Sequence, residues 1–518
     1  MNKKQVGINL IAGLISCAAT LGVSFVLTQY LVAQLGDEAY GYIGLSSQFV
    51  TIATVFTTAL NSMANRFILI AYEKRDAEKV KEYYSSLFVG GLVLAVVFLA
   101  AGFLITGFLE KIFNISPQLV VAAKITFALS VVNFAIMTLF NVFTSATFIR
   151  NRLALNSRGE ILANLAKVCL LAFLFTTLRP QIYFATLGGL LYTVVLYGNH
   201  IINTHKLLPE LRINLRCARL RTVRELVSAG SWNALNSIIQ LLMVGMDLAI
   251  ANWFLDGRAM GLLSVSNTIT VACSSVLTAV TAIFYPVLYR TYAQGDMLKL
   301  HQQVQRTTRI ECGIMYVPIA GLMVFGSIFY TLWMPYKSAE DICLLAGITI
   351  LKVWDQFTGL TMLAARSNFT MYNQLRPSAL GRFALSILNL PLVLLLMEIC
   401  PFYVGDVLII AGVSSLLYNL YYWGIEVRLI SRVTGQPVKD YYNIIVREIV
   451  LFACLAGVYL LLLLLWGNKV TSWVEFLVMV SGAGFLGYVI VWFAGINRED
   501  RTMLLGMIQE RFVRNNRQ

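Results

Sequence analysis

Ser47, Thr51, Thr54, Thr58, Asn61 and Asn65 recur at steps of three and four, so on a helix they form one polar stripe. A second series follows at a constant offset: Asn267, Val271, Ser274, Thr278, Thr281 and Tyr285. The polar character is largely kept while the residues change. Rows of hydroxyls and amides exchange hydrogen bonds with a hydroxyl-rich ligand such as a sugar. Ionisable residues stand inside long apolar runs around them: Arg66, Lys124, Lys167, Asp247, Lys352 and Asp355. Desolvation makes charge in such runs costly, which makes each a candidate functional residue. Arg66, Lys167 and Lys352 could face a pyrophosphate. Asp247 does not suit an anion and could hold a coupling proton or sodium ion, with Asp355 as a second ion-coupling candidate. Plainer readings stand beside these. Lys352 and Asp355, three apart on one helix face, could neutralise each other, and Arg66 and Lys124 have stems long enough to snorkel toward head groups.

Other chemistry is thinly represented. There is no GxxxxGK[ST] phosphate loop to suggest ATP hydrolysis. His200, His205 and His301 lie near the inner surface or in inner loops, a poor setting for a metal centre or an activated nucleophile. Cys17, Cys169, Cys217, Cys273, Cys312, Cys343, Cys400 and Cys454 show no CxxC spacing and read as small apolar residues. No catalytic residue, metal or cofactor is expected, and a proton or sodium gradient is the energy source that remains. Leu14-Ile15-Ser16-Cys17 fits a lipoprotein-type cleavage pattern, but cleavage there would truncate the first apolar segment, so that segment is read as retained.

The elements that must carry these residues are membrane-spanning helices. The chain has 518 residues, 58% hydrophobic and 13% charged, with a mean hydropathy of +0.73. That balance excludes an ordinary soluble enzyme and a disordered protein alike. A bilayer core about 30 Å thick takes about 20 apolar residues per helix, and about 14 such segments can be placed, with 12 or 13 left open. With the N-terminus inside, the 40 Lys and Arg fall at inner ends and loops. The exceptions are Lys111, Arg179, Arg258, Lys337 and Lys469 outside, and Lys124, Lys167 and Lys352 within spans. This is the bias expected of a multi-pass protein with both termini in the cytoplasm. The net charge of +14 is spread over short clusters beside spans, such as Lys74, Arg75, Lys79 and Lys81, which argues against a nucleic-acid partner. The longest cluster is Lys206, Arg212, Arg216, Arg219, Arg221 and Arg224. With Leu211, Leu215, Leu220 and Val227 at helical spacing it reads as an amphipathic segment on anionic membrane lipids, or as a plain orientation signal.

The two stripes belong to a larger repeat. Leu35-Gly36-Asp37-Glu38-Ala39-Tyr40-Gly41 aligns with Leu255-Asp256-Gly257-Arg258-Ala259-Met260-Gly261, each between long apolar segments. The expected organisation is an N-terminal six-helix lobe, 1–205; a basic cytoplasmic linker, 206–227; and a second six-helix lobe, 228–430. An extra helix pair, 447–495, and a basic cytoplasmic tail, 496–518, follow. Six is even, so the lobes run parallel. Both fourth-to-fifth connections read as basic inner loops, with Arg150, Arg152 and Arg158 in one half and Arg366 and Arg376 in the other. Outer loops are short, which leaves little room for the loop-borne catalysis of a membrane glycosyltransferase or polymerase.

The first pair of spans, Ser231-Trp232-Asn233 through Asp247-Leu248-Ala249-Ile250-Ala251, and Gly261 through Tyr285-Pro286-Val287-Leu288 carry a resemblance. The chain resembles the bacterial polysaccharide and O-antigen flippases of the multidrug/oligosaccharidyl-lipid/polysaccharide exporter superfamily. The resemblance implies an all-α integral membrane protein with two six-helix lobes in a V shape and alternating access. It also implies movement of an undecaprenyl-diphosphate-linked oligosaccharide across the inner membrane, with polysaccharide assembly proteins as candidate partners. The final helix pair resembles the extension of lipid-carrier flippases, absent from the twelve-span drug exporters. A multidrug or cation antiporter of the same superfamily is the alternative, and it would favour acidic and aromatic groups.

Overall fold

The computed structural model describes residues 3–150, 152–372, 374–400, 405–497 and 501. The tail expected over 496–518 lies outside the described residues except for Ile496, Asn497 and Arg501. Every regular element among the described residues is a helix, and 14 are long and apolar enough to cross a membrane. They are α1 (Lys3–Leu35), α2 (Asp37–Glu73), α3 (Ala77–Gly107), α4 (Val120–Ile149), α5 (Ala154–Thr177), α6 (Ile182–Leu207), and α7 (Leu220–Phe254). The second series is α8 (Gly257–Ala293), α9 (Met297–Trp333), α10 (Ala339–Met371), α11 (Leu375–Ile399), α12 (Asp406–Thr434), α13 (Val438–Trp466) and α14 (Trp473–Gly495).

By packing, the chain forms two compact units. The first runs to Thr268 and takes in Ser386–Leu394 of α11 and the start of α12 to Ile410; the second holds Ile269–Leu385, Leu395–Cys400 and the described chain from Ala411. So α7 and the first residues of α8, which the sequence repeat groups with the second lobe, pack within the first unit.

The repeated junctions meet inside that unit. A Cβ on Gly41 would stand 2.7 Å from Met260 Cε and 3.1 Å from Gly261 N, and one on Gly261 would stand 2.5 Å from Asp37 O. Only glycine lets the two copies approach this closely. A clasp of hydrogen bonds surrounds the contact. Asn114 and Asn252 exchange three, at 2.9, 3.0 and 3.0 Å. Glu38 accepts from Ser116 Oγ at 2.6 Å, and Trp253 Nε1 donates to the Ile112 carbonyl at 2.9 Å. The repeat also sets the next turns. Arg75 has φ 56° and Gly295 φ 77°. Asp76 and Asp296 follow them, each capping its helix by accepting from Lys79 N and Lys299 N at 3.0 Å.

The basic linker is not a single amphipathic helix. Between Leu207 and Leu220 it holds only a short 3-10 turn, Leu215–Cys217. Leu208 and Leu211 are buried in the core formed by α2, α3 and α4, whereas Leu220 is 84% exposed. Asn214 N and Arg219 N donate to Ser85 Oγ and Ser86 Oγ at 3.1 and 3.0 Å, and Glu82 takes the Thr222 hydroxyl. Those bonds hold the chain against the end of α3, which prevents the leucines expected on one face from sharing it.

In the second unit, α9 is central. Cys312, Tyr316 and Phe325 pack against Leu451, Phe452, Leu455 and Tyr459 of α13, with Val491 of α14 in the same core. The rings of Tyr316, Phe357 and Phe452 meet in tilted and edge-on contacts, with centres 4.3 to 5.4 Å apart. The extra helix pair is thus built into the second unit rather than appended to it.

Candidate functional site

The helix that carries the first stripe, α2, and its neighbour α4 are broken at the same place. The chain of α2 turns at Ser62 and Met63 before restarting at Ala64, and α4 changes to a 3-10 turn over Asn141–Thr144. Ser145 Oγ donates to Asn65 Oδ1 at 2.6 Å and fastens the breaks together. Discontinuous helices at depth leave backbone polar groups that only a protein-lined or wet cavity can satisfy. Such a cavity is present. A pocket of about 310 Å³ is lined by Thr54, Thr57, Thr58, Asn61 and Ser62 of α2, Phe134, Met137, Thr138 and Asn141 of α4, and Tyr197 of α6. Its wall carries hydroxyls and amides and no charged side chain.

Of the first stripe, then, Thr54, Thr58 and Asn61 come together. Ser47 and Thr51 are exposed farther along α2, Asn65 serves the latch to Ser145, and Arg66 is exposed outside the pocket lining. Lys167 is half-buried on α5. It shares a helix face with Glu160, which accepts from Ser16, and with Asn164, whose Nδ2 donates to Thr20 Oγ1 at 2.9 Å. Lys124 is paired with Glu110, so it has a counter-ion at its own end of the first unit.

In the second unit the partner stripe is tied to α10. Gln356 Nε2 donates to Ser274 Oγ at 2.8 Å and to the Thr270 carbonyl at 2.9 Å. Thr278 is exposed, Asn267, at the end of the first unit, is half-buried, and Thr281 is buried. Lys352 is buried, and Asp355 Oδ1 is buried without a hydrogen-bond partner. No ion pair joins the two among the described residues. Asp247, in the first unit, is 1% exposed and begins the regular helix after a π-helical segment, Leu241–Gly245. Asn389 Nδ2 donates to the Leu242 and Met243 carbonyls at 2.9 and 3.2 Å, which answers backbone groups set free by that segment.

Several residues went unnoticed in the sequence. Thr57, Ser62, Thr138, Asn141 and Tyr197 complete the pocket; Thr138 and Asn141, three apart, carry a helical signal of their own. Arg366, expected in an inner loop, lies within α10. Its Nε and Nη2 donate to the two carboxylate oxygens of Glu426 at 2.9 and 3.2 Å, and its guanidinium lies 4.6 Å from the Tyr422 ring centre. The reason is helix length: α10 continues to Met371, and Glu426 closes a π-helical segment, Leu420–Glu426, that turns its carboxylate to the arginine. Glu311 on α9 and Glu448 on α13 are also fully buried; the Glu311 carboxyl has no hydrogen-bond partner among the described residues, and Glu448 lies beside the Tyr316 hydroxyl. Both sit near span ends in the sequence, where a charged residue attracts no notice.

Residues 6–292 match the family described as polysaccharide biosynthesis protein. The chain is 23% identical over 503 residues to the "Uncharacterized membrane protein EpsK" of Bacillus subtilis (strain 168), a match spanning 96% of this chain and 97% of that one. Among solved structures it is similar to "Lipid II flippase MurJ, inward closed conformation", with a TM-score of 0.67, 13% identity, and 93% and 97% of the two chains covered. It is also similar to an inward-facing multidrug resistance MATE family transporter of the MOP superfamily. There the TM-score is 0.64 at 14% identity, covering 82% of this chain and 99% of the other. At these identities the likeness is one of fold.

Proposed function

Since this chain belongs to the polysaccharide biosynthesis protein family, we propose that it is a flippase for an undecaprenyl-diphosphate-linked oligosaccharide. It carries this cargo from the inner to the outer leaflet of the bacterial inner membrane by alternating access between its two repeated halves. Both termini face the cytoplasm, and a proton or sodium gradient drives the cycle. The observation that carries this reading is the pocket of α2, α4 and α6, whose wall sets hydroxyls and amides beside Phe134, Met137 and Tyr197 and holds no charged side chain. Sugars exchange hydrogen bonds with the hydroxyls and amides, whereas a cationic drug would gain most from a carboxylate, and none lines this pocket. The printed name of a structure whose likeness extends over 93% of this chain, a Lipid II flippase, is in keeping with a lipid-linked cargo.

In this scheme Arg66, Lys167 and Lys352 meet the diphosphate, and Asp247 and Asp355 hold the coupling ion. Polysaccharide assembly proteins would receive the cargo. The test is leaflet-resolved analysis of lipid-linked oligosaccharide in a deletion strain. Accumulation in the cytoplasmic leaflet is expected. An unchanged leaflet distribution together with lost export of cationic dyes would replace this reading with a drug antiporter.

A further inference from the structure

We propose that the pocket between α2, α4 and α6 is a subsite for one uncharged sugar unit of the cargo, and that the diphosphate is held elsewhere. The inference rests on the flippase reading. Its basis is where the hydroxyl protons on the pocket wall go. Thr54 Oγ1 donates to the Thr51 carbonyl at 2.6 Å, Thr57 to the Thr54 carbonyl at 3.1 Å, and Thr58 to the Thr54 carbonyl at 2.7 Å. A threonine hydroxyl has one proton and two lone pairs. With the proton committed one turn back along its own helix, what each of these oxygens can still offer a ligand is its lone pairs.

These three threonines therefore ask for donors. Ring hydroxyls and an acetamido N–H supply them. A phosphate, a diphosphate or a uronic-acid carboxylate brings only acceptors, and no Lys, Arg or His lines the pocket to offset the charge. An anion placed there would lose its water with no cation to offset its charge, which burial penalises strongly. Asn61, Thr138 and Asn141 add groups that both donate and accept, matching a sugar hydroxyl, which does the same. The pocket volume of about 310 Å³ sits at the lower end of small-molecule sites, about 300 to 1,000 Å³, so it suits a short piece of an oligosaccharide.

The experiment uses the full chain in lipid nanodiscs and two soluble probes, farnesyl diphosphate and farnesyl-diphospho-N-acetylglucosamine, with binding read by calorimetry. The sugar should tighten binding to the natural sequence. Thr58→Val, which removes the acceptor at nearly constant shape, should weaken the sugar-bearing probe about fivefold and leave farnesyl diphosphate unchanged. Thr58→Ser, which keeps the oxygen, should retain affinity, and unchanged farnesyl diphosphate binding shows that the valine variant is folded. If the sugar adds nothing, if Thr58→Val weakens both probes equally, or if it weakens neither, the subsite is overturned while the lipid-carrier reading stands. Binding of neither probe by the natural sequence would remove both.

Discussion

Gly261→Ala and Gly321→Ala are the same chemical change on two spanning helices, and the structure predicts opposite signs. A Cβ at Gly261 would lie 2.5 Å from Asp37 O, 2.7 Å from its carbonyl carbon and 2.7 Å from its Cβ, all atoms fixed by the backbone of the other junction. Ordinary carbon contacts are about 3.5–4.0 Å, so the helices must separate by roughly 1 Å. Overpacking of this kind costs about 1–3 kcal/mol. The better helix propensity of alanine returns about 0.5–1 kcal/mol. A net loss of up to about 2.5 kcal/mol follows, centred on about 1 kcal/mol. At Gly321 nothing lies within 4 Å of the new Cβ, so only the propensity gain remains. Gly41→Ala meets first the mobile end of Met260, at 2.7 Å, and should lose less than Gly261→Ala. Denaturation of the purified proteins in one lipid and detergent mixture, followed by tryptophan fluorescence, orders the three. A Gly261→Ala protein as stable as Gly321→Ala would mean that the two junctions do not pack as described.

The repeat suggests a second change, Arg75→Gly, which places glycine where the matched turn already has Gly295; relief of the left-handed φ should stabilise the protein by about 1 kcal/mol, and a loss of stability would refute the strain. For the buried pair, Arg366→Ala should destabilise by about 3–5 kcal/mol because it strands the fully buried Glu426. Glu426→Ala should cost less, since the partly exposed guanidinium keeps Tyr422, and Arg366→Met with Glu426→Leu should recover most of the loss. Equal single losses would contradict this, as would a double variant no better than Arg366→Ala. In a background without reactive native cysteines, Thr54→Cys and Thr58→Cys should label with a small water-soluble thiol reagent and buried Val55→Cys should not; equal labelling would remove the water-accessible pocket.

Much of this architecture was legible because hydropathy and helical periodicity are local signals. The 14 spans and the polar face of α2 needed nothing more. What stayed hidden depends on contacts between distant residues or on single atoms. The aligned junctions suggested duplication, but nothing local says that Gly41 and Gly261 touch. The stripe showed which face of α2 is polar, yet Asn65 is spent on Ser145 and the threonine protons on their own backbone, choices that periodicity does not record. The linker misled because Leu211, Leu215, Leu220 and Val227 have helical spacing, while Leu208 and Leu211 gain more by entering the α2–α4 core. Arg366 looked like a loop charge because its counter-ion, Glu426, lies 60 residues away in the chain.

The central claim is that this protein moves a lipid-linked oligosaccharide between leaflets. Its most direct test is reconstitution of the purified chain into liposomes carrying a fluorescent undecaprenyl-diphosphate oligosaccharide, with an impermeant quencher outside and an imposed proton or sodium gradient. The account predicts gradient-dependent movement of the label between the protected and quenchable pools, slowed by Lys167→Ala and Lys352→Ala at equal protein incorporation. A label distribution identical to that of protein-free liposomes, with or without a gradient, would contradict it.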